Sequence, residues 1–107
     1  MYTATQVKAT YAWLITKDCF TNDPQDPTTC LGVMGPGSTD MTREDIKKHR
    51  DGVPFRMLDD DGDVNYYGIF VGDANSEDAF GPLDDYGQPG LGCTEIQYKR
   101  NGQWETL

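Results

Sequence analysis

Apolar and polar positions alternate over several stretches of this chain, and each alternation predicts a strand. The run Thr10-Tyr11-Ala12-Trp13-Leu14-Ile15-Thr16 is apolar and β-rich. It puts Trp13 and Ile15 on one face and Ala12 and Leu14 on the other, so both faces are partly covered. Pro54-Phe55-Arg56-Met57-Leu58 and the aromatic, β-branched residues 64–71 flank Asp59-Asp60-Asp61-Gly62-Asp63. That arrangement reads as two strands joined by an acidic hairpin turn. Residues 93–99 (CTEIQYK) alternate again, and Asn101-Gly102 is a strong hairpin signal that returns the chain into Gln103-Trp104-Glu105.

A different period marks residues 42–51 as a helix. Thr42 caps it with Asp45 three residues on, and Met41 and Ile46 hold the positions of a hydrophobic staple. Glu44 and Asp45 fall in the first turn and Lys47, Lys48, His49 and Arg50 in the last, as the helix dipole favours, with Gly52 placed for a left-handed stop. Such a short, polar helix cannot stand alone, so Met41 and Ile46 must pack on the sheet. Residues 17–29, Gly35-Pro36-Gly37, 72–81 and 82–93 are rich in turn formers and read as loops. The expected fold is α+β: one domain over residues 1–107 with a loose start at 1–8, and an antiparallel sheet of about five strands with one short helix on one face, in the order β-α-β-β-β-β.

Composition sharpens this picture. Hydrophobic residues make up only 36% of the 107, yet two Trp, six Tyr and four Phe supply large apolar areas at few positions. Tyr66, Tyr67, Phe70, Tyr86 and Trp104 therefore read as core and cross-strand partners before they read as a binding platform, and Trp104 is expected to be buried. No stretch approaches the roughly 18 apolar residues of a membrane span, and residues 1–15 lack the pattern of a secretory leader. A soluble, cytoplasmic protein is expected. Cys19, Cys30 and Cys93 are an odd set without the spacing of a zinc knuckle, so free thiols are expected and no metal or cofactor is assigned.

Charge changes the picture most. The net charge is −9, and residues 57–98 contain ten acids and no base. Nucleic acid and anionic membranes repel such a molecule, whereas a basic protein surface attracts it. Counting back from Gly62 as the glycine of a calcium-binding helix–loop–helix puts Met57 and Gly68 where acids are required, so that pattern fails. Clustered carboxylates keep a simpler cation site in play, with Asp84 and Asp85 brought alongside. His49, the sole histidine, is explained by the helix dipole, and no nucleophile adjoins it in the sequence, so no catalytic residue is assigned. The expected partner-binding residues are Asp59, Asp60, Asp61, Asp63, Asp73, Glu77, Asp78, Asp84 and Asp85, and reversing Asp59 with Asp61, or Asp84 with Asp85, is expected to leave stability nearly unchanged.

The residues Phe55-Arg56-Met57-Leu58-Asp59-Asp60-Asp61-Gly62-Asp63-Val64-Asn65-Tyr66-Tyr67-Gly68, Pro82-Leu83-Asp84-Asp85-Tyr86-Gly87 and Gly92-Cys93-Thr94-Glu95-Ile96, with the first strand around Trp13, resemble small uncharacterised proteins of bacterial and phage genomes. The resemblance covers the C-terminal half and brings no active site. In size and acidity the chain is also similar in type to phage-encoded inhibitors of bacterial defence, including anti-CRISPR proteins and DNA mimics, which share no common motif. It implies a non-enzymatic module that occupies a basic, nucleic-acid-binding surface of a defence complex in the host cytoplasm. The alternative is a small cation-binding or structural protein.

Overall fold

The computed structural model describes residues 11–21 and 23–107; the segment 1–8, expected to be loose, lies outside them. In chain order the elements are β1 (Ala12–Asp18), β2 (Met34–Gly35), α1 (Arg43–Lys48), β3 (Val53–Leu58) and β4 (Val64–Val71). A 3₁₀ turn (Glu77–Phe80), a π-helical turn (Leu83–Gly87), α2 (Gln88–Leu91), β5 (Glu95–Arg100) and β6 (Gln103–Thr106) follow. The strands form one antiparallel sheet in the order β2-β1-β4-β3-β5-β6. The fold is the expected α+β arrangement, with a two-residue edge strand as the sixth.

Register follows from the turns. Asn101 and Gly102 both adopt positive φ, at 53° and 80°, the conformation that matches the twist of a two-residue hairpin, and Lys99 thereby faces Trp104. In the acidic hairpin Met57 pairs with Tyr66 but Leu58 with Val64, so Asn65 is an extra residue and β4 bulges there.

Alternation along β1 assigns the two faces as the sequence implies. Ala12 and Leu14 join Ile46 of α1, with Met34, Met41, Ile69 and Val71 around them. Trp13 and Ile15 join the larger cluster on the other side, with Phe55, Met57, Tyr66, Phe70, Ile96 and Tyr98. The helix is capped as expected, Thr42 and Asp45 forming a reciprocal capping box, but it ends at Lys48, inside the expected 42–51. His49 leaves in extended backbone at ψ 127°, and Gly52 is not left-handed. A Cβ on Gly52 would sit 2.8 Å from Ile69 Cγ2, so its glycine serves close packing rather than helix termination.

The larger departure is at residues 77–91. Dense in Gly and Pro, this segment reads as loop, yet it folds into consecutive helical turns that cover the large apolar face as a lid. Its glycines permit close approach: a Cβ on Gly81 would lie 2.3 Å from Tyr11 Cε2 and one on Gly87 2.5 Å from Met57 Sδ. Ala79 and Leu83 enter the core, and the Tyr98 hydroxyl donates to the Ala79 carbonyl at 2.7 Å.

Trp104 is half-buried, not buried, and lies on the α1 side of the sheet beyond the helix. Arg56 stacks 4.5 Å from its ring centroid, Lys99 5.9 Å and Tyr67 6.0 Å. Truncating it removes stacking and cation–π contacts without opening a core cavity. Trp104→Ala is expected to cost about 1–2 kcal/mol, against about 3–5 kcal/mol for Tyr98→Ala. Urea denaturation of the two variants checks the order, and equal losses would place Trp104 in the core.

Candidate functional site

The acids assigned from sequence occupy two neighbouring places. Asp73, Glu77, Asp78, Asp84 and Asp85 lie on the lid and the turn leading into it; Asp59, Asp60, Asp61 and Asp63 form the tip of the β3–β4 hairpin. The tip adjoins the end of the lid, since Thr94 N–H donates to the Leu58 carbonyl at 2.9 Å and the charge of Asp59 reaches the Cys93 thiol. No Lys or Arg occurs between residues 73 and 91, while Arg100 lies beneath and donates to the Ala74 carbonyl at 2.6 Å.

The bases are distributed in the opposite sense. Arg43, Lys47 and Lys48 are on α1 and Arg50 just after it, while Lys17, Arg56 and Lys99 stack on Tyr67 and Trp104, whose rings share the α1 side of the sheet. Most of the described bases thus lie across the sheet from the lid, beside the acids Glu44 and Asp45 of α1, a placement that sequence does not show.

The nine assigned acids are not equivalent surface charges. Asp85 Oδ2 accepts from the Tyr11 hydroxyl at 2.8 Å and from Trp13 Nε1 at 3.1 Å, tying the lid to the start of β1. Burial first, then Asp85 through its bond and charge, then the charges of Asp78 and Asp84, push the Tyr11 phenol well above its ordinary pKa, which places these three acids around one point. Asp59 Oδ1 accepts the backbone N–H groups of Asp61 and Asp63, both at 3.0 Å, and closes the hairpin turn. Asp73 does the same for Asn75 at 2.9 Å. Reversing Asp59 or Asp85 is therefore expected to cost stability, where the sequence reading expected little effect; Asp60, Glu77 and Asp84 are exposed acids without such bonds among the described residues.

Carboxylate oxygens of Asp59, Asp61 and Asp63 approach within 4.8 Å of one another. The turn accounts for this spacing, because Asp59 Oδ1 receives the backbone N–H groups of Asp61 and Asp63 and so draws the three residues together. Asp84 and Asp85 are not part of that group.

Two features escaped the sequence reading. Asp18 is buried at the end of β1, where Oδ1 accepts from Phe20 and Thr21 N–H and Oδ2 from Cys30 N–H at 2.9 Å, organising the loop that follows. Burial raises its pKa, but the N–H groups of Cys30, Phe20 and Thr21 outweigh burial and hold it below the ordinary value. Under the lid, Tyr86 donates its hydroxyl to Cys30 Sγ at 2.7 Å, and that sulfur lies 3.6 Å from the Tyr66 hydroxyl. Burial, then the bond to Cys30, raises both phenols. The three cysteines are free. An Asp-x-x-Thr following a strand is the only sequence signal for the first feature; the second joins residues far apart in the chain and has none.

Compared with models of protein families, with curated proteins and with solved structures, the chain matches none. Among the described residues no helix is long and apolar enough to cross a membrane.

Asp18 supplies a pH test. Its folded pKa lies below that of the unfolded chain, so its stabilisation is fully present above the unfolded value of about 3.9 and is lost as pH falls through the folded value. Asp18→Asn should cost about 1–3 kcal/mol near neutral pH, and the gap to wild type should narrow on acidification below about pH 4. Urea titrations at a series of pH values measure this; a gap independent of pH would mean that the negative charge is not what holds the loop.

Proposed function

We propose that this protein is a non-enzymatic binding module that presents its acidic lid and hairpin tip to a basic, nucleic-acid-binding surface of another protein, in the manner of a phage-encoded inhibitor that mimics DNA. The observation that carries the reading is the placement of acids on a helical lid fixed to the core by Tyr98 and Asp85, with every described base except Arg100 on the other side of the sheet. Carboxylates on a rigid surface keep their spacing, and long-range attraction then steers a basic groove toward one face of the molecule. A partner evolved to neutralise phosphates is the chemistry such a face would satisfy.

The test reverses only acids that carry no structural bond: Asp60→Lys, Glu77→Lys and Asp84→Lys together. Stability should change by no more than about 0.5 kcal/mol per site, while capture of heparin-retained proteins from host lysate is lost and wild-type capture weakens as salt rises. DNA should compete for the same partners. If the triple variant keeps every partner of the wild type, or if the partners have no basic nucleic-acid groove, the proposal fails.

A further inference from the structure

On the side of the sheet away from the acidic lid, a surface cavity of about 250 Å³ opens between α1 and the end of β1. Its apolar floor is Leu14 and Leu31, with the Thr16 side of β1 as one wall. Arg43, Glu44 and Lys47 of α1 form the rim. β1 lacks a strand partner on this edge beyond the Leu14 pairing with Met34; the chain instead crosses through backbone bonds from Ile15 N–H to the Val33 carbonyl and from Gly32 N–H to the Ile15 carbonyl, at 2.8 and 2.9 Å. That irregular crossing keeps Leu31 beside Leu14 and leaves a depression that α1, only six residues long, does not fill.

The rim is positive. Arg43 Nε donates to the Gly32 carbonyl at 2.5 Å, which holds the guanidinium across the mouth while its two terminal amino groups have no partner among the described residues. Lys47, one turn further along the helix, forms no ion pair among the described residues. The carboxylate of Glu44 is engaged by Lys48 at 3.4 Å. An apolar floor with two cations at the mouth that form no ion pair among the described residues is complementary to a small molecule that joins a short hydrocarbon body to one anionic head.

We infer that this cavity is a binding site for small monocarboxylates with a short aliphatic tail, the tail on Leu14 and Leu31 and the carboxylate between Arg43 and Lys47. The site is independent of the acidic face, since it lies across the sheet from the lid and uses none of its residues. Net charge does not oppose it: at physiological salt, charges beyond roughly 8 Å are screened, so the local cations decide.

Hexanoate is the probe, with 1-hexanol as the uncharged control, followed by two-dimensional NMR of the labelled protein. Hexanoate should shift the amides of Thr16, Leu31, Gly32 and Lys47 saturably, with Kd on the order of 1 mM, and hexanol should bind more weakly at the same amides. The double variant Arg43→Gln with Lys47→Gln, both exposed positions, should keep the wild-type spectrum elsewhere and weaken hexanoate about tenfold. The single variant Lys47→Gln should fall between the two. Equal binding of hexanoate and hexanol, an unchanged affinity in the double variant, or shifts that grow without saturation and spread to Arg56 and Lys99 would each overturn the inference.

Discussion

One carboxylate oxygen holds the acidic side of this molecule in place. Asp85 Oδ2 takes both the Tyr11 hydroxyl and the Trp13 indole N–H, and so joins the lid to the first described strand. Around that point the apolar contacts follow: Tyr86 packs on Trp13 and Tyr66, with ring centroids 5.5 and 5.6 Å apart, and Leu83 and Ala79 close the core beneath. The lid thus turns Ala79, Leu83 and the Tyr86 ring inward and a row of acids outward. Because helical turns satisfy their own backbone groups, the segment can lie on an apolar face that a structureless loop could not cover without unpaired polar groups.

How much of this was legible depended on whether the signal was local. The β1 alternation of Trp13 and Ile15 against Ala12 and Leu14, the capping box at Thr42 and Asp45 and the Asn101-Gly102 turn are all decided within a few residues, and the structure places each as read. The lid was not legible because Gly81, Pro82, Gly87 and Pro89 are turn formers by composition, while their actual task is set by Tyr11 and Met57, far away in sequence. Trp104 misled for a related reason. Its register against Lys99 is right, but which face of β6 is covered depends on where α1 ends, and α1 packs chiefly on β1 and β4.

The candidate site divides in the same way. Sequence identifies the acids, and it cannot distinguish a carboxylate that closes a turn, such as Asp59, or anchors the lid, such as Asp85, from one with no other duty, such as Asp84. It also shows the acids as one segment without showing that the bases of α1, with Lys17, Arg56 and Lys99, gather across the sheet from the lid. The result is a molecule with two electrostatically distinct sides and a common core. An acidic face of this kind is useful for recognition only if the lid that carries most of it is as rigid as the sheet below.

Native-state hydrogen exchange tests that rigidity most directly. The amides of Ala79, Gly92 and Cys93 are bonded to Ser76, Gln88 and Gly87 within the lid and at its end, and report on its opening. The account predicts that these amides are protected in the wild type, and that Asp85→Ala accelerates their exchange by about tenfold or more while β3 and β4 amides are unchanged. Lid amides that exchange freely in the wild type, or that ignore the loss of Asp85, would contradict it.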